Sequence, residues 1–118
     1  MERNMNFDLT DDFEPSCLQG NIETSYADLV NCFGEPNSDG DGYKVQKEWM
    51  IKFYDGTYAT IYDWKEGDSY NGEGQGTHYT DVTDWHIGGM SQKSVSSVHA
   101  AMEAYLRSTC YNEPKQLT

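Results

Sequence analysis

The 118-residue chain predicts an α+β domain: an antiparallel sheet of four to five strands with two helices packed on one face. Three observations carry that expectation. Two runs of alternating apolar residues flank Asp55-Gly56, which is a hairpin signature. Two other stretches, near residues 26–33 and 95–106, repeat apolar residues at helical spacing. The length suits one domain with one core, and an aromatic fraction of 14% supplies that core although only 36% of residues are apolar.

The elements follow in order. Residues 1–16 (MERNMNFDLTDDFEPS) form an acidic arm, free to be disordered, whose Phe7, Leu9 and Phe13 could dock weakly or pair as an edge strand. A short strand is expected over Cys17 to Glu23. Helix one starts at Thr24 or Ser25, where Ser25 and Asp28 have the spacing of a capping box. Tyr26, Leu29, Val30 and Phe33 form its stripe, Gly34 suits the position after its end, and Pro36 prevents continuation.

The hairpin spans Lys44 to Trp64. A two-residue turn pairs Tyr54 with Thr57. A three-residue loop, Tyr54-Asp55-Gly56, pairs Phe53 with Thr57 and gathers Trp49, Ile51, Phe53, Ala59 and Ile61 on one face. The second register is preferred, because a one-residue slip scatters that set over both faces. Its other face carries Met50, Lys52, Tyr54, Tyr58, Thr60, Tyr62 and Trp64. Either a helix or loop covers these rings, or they form a binding surface.

Residues 65–80, with four glycines and no periodicity, read as a long mobile loop. A strand near Asp81 to Ile87 follows and ends at Gly88-Gly89. The final helix runs from about Ser91 to Arg107, with Ser91 or Ser94 as N-cap and Val95, Val98, Met102 and Tyr105 or Leu106 buried. The domain is thus expected over 17–110, with residues 111–118 frayed.

Charge narrows the function classes. The net charge is −12, and residues 1–42 hold ten acids against Arg3 alone. The hairpin is nearly balanced, and acidity returns in residues 66–73. Such a chain repels nucleic acid and anionic membranes and is drawn to basic protein surfaces. The first twenty residues hold no apolar run, so neither a secretion signal nor a membrane span is expected. Cys17, Cys32 and Cys110 make no C-x-x-C pair, which suits free, buried thiols in a reducing cytoplasm.

Catalytic and metal chemistry find little support. No nucleophile sits on a strained elbow beside a base, and no cofactor is expected. His78, His86 and His99 share no metal-ligand spacing. Asn37-x-Asp39-x-Asp41-Gly42, with Glu48 after five residues, matches a calcium loop in spacing. Against it, the first ligand is Asn, Lys44 stands at the usual apolar position, and a strand follows instead of a helix. A small calcium-binding or ligand-binding module using residues 37–48 is therefore the alternative function.

The run Ser25-Tyr26-Ala27-Asp28-Leu29 to Phe33-Gly34-Glu35-Pro36, continuing into Glu48-Trp49 and Tyr58-Ala59-Thr60-Ile61-Tyr62-Asp63-Trp64, resembles small uncharacterised acidic accessory proteins of tailed bacteriophages. The resemblance covers about residues 20–90 and carries no catalytic residues. It implies an inhibitor of host defences, of the anti-CRISPR or anti-restriction type, some of which mimic DNA with their carboxylates. A helix closed by Gly-x-Pro and followed by a meander is also similar in layout to the repeat of the β-lactamase inhibitor protein. The expected function is stoichiometric inhibition, in the host cell cytoplasm, of a basic host protein such as a nuclease or nucleic-acid-binding effector. Its expected contacts are Asp8, Asp11, Asp12 and Glu14 in the arm, Asp39 and Asp41, then Glu66, Asp68 and Glu73, with Tyr58, Tyr62 and Trp64 as anchors. A homodimer follows if the aromatic hairpin face stays uncovered.

Overall fold

The computed structural model describes residues 6–11 and 17–112. Five strands form one antiparallel sheet: β1 (Phe7–Leu9), β2 (Cys17–Glu23), β3 (Glu48–Phe53), β4 (Tyr58–Tyr62) and β5 (Asp84–Gly89). Their order is β1-β3-β4-β5-β2, with the hairpin β3–β4 inside the sheet. The helices are α1 (Tyr26–Phe33), the single turn α2 (Asp68–Asn71) and α3 (Gln92–Asn112). No helix among the described residues is long and apolar enough to cross a membrane.

The hairpin adopts the three-residue loop. Trp49 faces Ile61 and Ile51 faces Ala59 across the ladder, and the Phe53 N–H donates to Thr57 O at 2.7 Å. Gly56 sits at φ +95°, a left-handed conformation that strains any residue with a Cβ. Trp49, Ile51, Phe53, Ala59 and Ile61 are all buried on one face. There they join Leu29, Cys32 and Phe33 of α1 and Val98, Met102 and Tyr105 of α3. The Trp49 and Trp85 rings meet edge-on at 5.4 Å. Both indole N–H groups are satisfied, Trp49 by Gly34 O at 2.7 Å and Trp85 by Thr24 O and Val82 O at 3.2 Å.

Of the arm, residues 7–9 form edge strand β1. Phe7 lies opposite Phe53 and packs against the Phe33 ring at 4.9 Å, so burial of one aromatic holds a three-residue strand. Phe13 and Pro15 lie outside the described residues. Cys32 is buried as expected, whereas Cys17 is exposed on β2.

Helix α1 starts at its cap, with the Asp28 N–H donating to Ser25 Oγ at 3.0 Å. Asp28 does not complete a capping box. Its carboxylate accepts from the Tyr105 hydroxyl at 2.9 Å instead, pinning α3 to α1. In α3, Ser91 caps through the Lys93 N–H at 3.2 Å. Ser94 is buried and donates to Tyr58 O at 2.6 Å, while Leu106 is exposed and Tyr105 takes the buried position. Gly88 and Gly89 lie inside β5 rather than after it, because α3 crosses so close that a Cβ at Gly89 would collide with Ser94 Oγ.

The strands of the hairpin are shorter than the expected Lys44–Trp64 span, since residues 43–47 wrap around two carboxylates described below. Strand β5 starts at Asp84 because Tyr79–Asp81 forms a 3-10 turn. α1 and α3 both lie on the Trp49 face, so neither covers the opposite face, which bears Met50, Lys52, Tyr58, Thr60 and Tyr62.

The hairpin turn generates a pH prediction. The Thr57 N–H, at 2.9 Å, and the Lys93 ammonium, at 3.1 Å, hold the Asp55 carboxylate ionised down to about 2, from an ordinary 3.8. A depressed acid stabilises the fold above its unfolded value, and that stability is lost as pH falls through the folded one. Melting temperature should therefore drop more steeply between about pH 4 and pH 2 in the natural chain than in Asp55→Asn, measured by scanning calorimetry. Equal slopes would show that Asp55 carries none of the acid dependence.

Candidate functional site

The register puts one end of every strand in the same place. Glu48 faces Tyr62, Tyr62 faces His86, and His86 faces Asn21, with Glu23 opposite Asp84 two residues beyond. The segments 34–47 and 63–83 therefore leave the sheet from the same end. β1 finishes there too, where the Asn37 amide donates to Thr10 O at 2.9 Å. Residues scattered along the chain become neighbours at this loop end.

Its organiser is Asp63, fully buried at the end of β4. Oδ1 accepts the N–H groups of Gln46 at 2.8 Å and Lys47 at 3.0 Å, and Oδ2 accepts the Gln46 side-chain amide at 2.8 Å. The same amide reaches Thr77 O at 3.0 Å. The Lys65 N–H donates to Lys44 O at 2.7 Å, and the Thr77 N–H donates to Glu66 O. One carboxylate thus ties residues 44–47 to residues 65–77. A buried polar side chain is tolerated only with such partners.

Residues 65–80 are consequently folded, not the long mobile loop expected. Asp68 accepts from the Gly74 and Gly76 N–H groups at 2.9 and 2.8 Å. The Asn71 amide donates to the carbonyls of Lys65 and Gly67, both at 3.0 Å. Gly67 fits against Gln46 so closely that a Cβ would lie 2.6 Å from its Cδ. Asp41 organises the other segment, accepting N–H groups from Tyr43, Lys44 and Val45 at 2.9 to 3.0 Å. Those backbone donors lower the proton affinity of Asp41, and those of Gly74 and Gly76 do the same for Asp68.

The calcium-loop spacing serves other ends. Asn37 Oδ1 accepts the Met50 N–H at 2.8 Å, joining the loop to β3. Asp39 pairs with Lys47 at 2.7 Å, and Asp41 is committed to its own turn. Among the described residues no group of three His, Cys, Asp or Glu side chains is placed to hold a metal ion.

Above this scaffold lies a cluster of rings. Tyr43, Trp64 and Tyr70 are exposed, with Tyr43 and Tyr70 5.3 Å apart. The Lys65 ammonium stands 5.5 Å from the Trp64 ring and 5.3 Å from Tyr70, and Lys44 stands 5.7 Å from Trp64. Trp64 also stacks on His86 at 6.1 Å, and Tyr62 meets His86 at 5.5 Å. Burial raises the proton affinity of half-buried Glu66, with Asp63 and Asp84 adding to it and His86 opposing. Burial likewise raises Glu48, which its hydrogen bond from Ser38 partly offsets.

Of the expected contact residues, Asp39, Asp41, Glu66, Asp68, Glu73, Tyr62 and Trp64 come together at this end. Asp11 follows β1 toward it. Asp8 does not join them. It faces Lys52 across β1–β3, and Tyr58, also opposite Lys52, lies about 13 Å from Tyr62 along β4. Asp12 and Glu14 lie outside the described residues. Tyr43, Tyr70 and His86 were missed. Only the recurrence of an aromatic beside a lysine, Tyr43-Lys44 and Trp64-Lys65, could have pointed to the cluster. No family model, curated protein or solved structure matches the chain.

The Asp63 clasp generates a stability prediction. Asp63→Ala should cost about 3 kcal/mol in urea unfolding, because the half-buried Gln46 and Lys47 N–H groups and the Gln46 amide lose their acceptor. Asp63→Asn, which keeps one accepting oxygen, should cost about half of that. A loss under about 1 kcal/mol for Asp63→Ala would contradict the assignment.

Proposed function

We propose that this chain is a non-catalytic acidic inhibitor of the phage anti-defence type, which docks its loop end on a basic, nucleic-acid-handling host protein. The observation that carries the reading is the juxtaposition of exposed Tyr43, Trp64 and Tyr70 with the acid-bearing segments 39–41 and 66–73 on one folded end. Aromatic side chains give large contact area at low entropic cost and are favoured anchors. Trp64 and Tyr70 already hold the ammoniums of Lys44 and Lys65 over their faces, so they are placed to receive a partner's arginine or lysine in their stead. Net charge of −12 draws a basic partner in before contact. Because the Asp63 clasp folds both segments beforehand, little ordering entropy remains to be lost on docking.

Asp41 and Asp68 contribute charge while their oxygens hold the loops, so their removal should act through loop structure. Exposed Asp39 and Glu73 supply the carboxylates that meet the partner, with half-buried Glu66 beside them. DNA mimicry in this reading consists of outward carboxylates bordering aromatic anchors.

The test is capture from nuclease-treated bacterial lysate with the tagged chain and with a Trp64→Ala, Tyr70→Ala variant. The expected result is one basic nucleic-acid-binding protein held by the natural chain, released at about 1 M salt, where screening shortens to about 3 Å, and absent from the variant's eluate. Retention by the variant, or retention undiminished in that salt, would overturn the reading.

A further inference from the structure

Strand β2 is the longest of the sheet and lies at its edge. Its ladder with β5 pairs Asn21 with His86, Ile22 with Trp85 and Glu23 with Asp84, and the Thr24 N–H donates to Thr83 O at 2.9 Å. Ladder bonds therefore fall at residues 24, 22 and 20, and the backbone groups of Asn21 and Glu23 point away from β5. Among the described residues no strand pairs with that outer side. Two side chains of α3 reach it instead: Gln92 Nε2 donates to Gln19 O at 2.8 Å, and His99 Nε2 donates to Asn21 O at 3.2 Å. Each carbonyl keeps a second lone pair, and the outward N–H groups of Asn21 and Glu23 are left to a further acceptor.

A hollow flanks this edge on each face of the sheet. On the helix side, one of about 570 Å³ is lined by Ile22, Met102 and exposed Leu106, with Glu23, Glu103 and His99 around it. On the opposite side, one of about 270 Å³ is lined by Leu18, Asn21 and His86. The carboxylates of Glu23 and Asp84 belong to that second face, since their pair is two residues from Asn21–His86. A strand added to β2 would send alternate side chains to the two faces, an apolar one into the first hollow toward Ile22 and Leu106, and a basic one beside the second hollow toward Glu23 and Asp84. The Asp84 carboxylate also accepts the Asn21 amide at 2.9 Å.

We propose that the outer edge of β2 is a strand-addition site for an extended partner segment in which apolar and basic residues alternate. Main-chain bonds to Asn21 and Glu23 supply the pairing, the helix-side hollow reads the apolar side chain, and the Glu23–Asp84 carboxylates read the basic one. The site adjoins the aromatic loop end at His86, but it pairs through main-chain groups of β2 that docking on the rings does not use.

The probe is a labelled (Lys-Val)5 peptide, compared with the same peptide N-methylated at alternate residues so that charge is kept and strand pairing lost. Fluorescence anisotropy should show binding of the first peptide only. On binding, amide exchange at Asn21 and Glu23 should slow about tenfold or more. Asn21→Pro, which removes an outward N–H without touching a ladder bond, and Leu106→Lys, which charges the apolar hollow from an exposed helix position, should each weaken binding about tenfold or more. Circular dichroism and melting establish that both variants are folded. Equal binding of the methylated peptide would reduce the effect to charge attraction and overturn the proposal. So would protection confined to residues 64–70, unchanged binding by Leu106→Lys, or a free chain that sediments as a dimer with Asn21 and Glu23 already protected, which would give the edge to a second copy.

Discussion

The loop end of this protein depends on one buried carboxylate. Asp63 closes β4 with no exposure to water, and its oxygens gather donors from Gln46 and Lys47. Through the Gln46 amide the same contact reaches Thr77. Segments separated by seventeen and thirty-one residues are thereby held against one another. Everything mounted on those segments, from the exposed rings to the outward acids, takes its position from this clasp.

The clasp also changes the meaning of the acidity. The sequence concentrates its twenty acids in residues 1–42 and in the 66–73 segment, as a charged surface would. The structure divides them by task. Asp63, Asp41 and Asp68 accept backbone N–H groups and act as folding elements. Asp28 receives the Tyr105 hydroxyl, and Asp55 holds a turn. Asp39, Glu66 and Glu73 lie along the loops without such backbone duties. An acid-rich loop can thus be ordered because of its carboxylates, since each one substitutes for the strand partners that its N–H groups lack.

What was legible in the sequence was whatever depended on period or on a local cap. The hairpin register followed from Trp49, Ile51, Phe53, Ala59 and Ile61, because only one alignment buries all five. Ser25 and Gly34 bounded α1 through bonds within a few residues. The 65–80 segment was illegible for the converse reason. Its glycines signal a loose loop, while its order comes from Asp68, whose donors lie six and eight residues on, and from Gln46, which reaches Thr77 across thirty-one residues. Asp28 was misread because its partner, Tyr105, lies 77 residues away. The aromatic cluster was hidden likewise, since Tyr43 and Tyr70 meet only once both segments fold.

The most direct measurement of the central claim is residue-resolved amide hydrogen exchange on the natural chain and on Asp63→Asn. If the buried carboxylate organises the loop end, amides 43–47 and 67–77 exchange faster together in the variant, while those of β3, β4 and β5 keep their protection. Faster exchange spread evenly over the whole sheet, or loop amides unchanged by the substitution, would contradict the account.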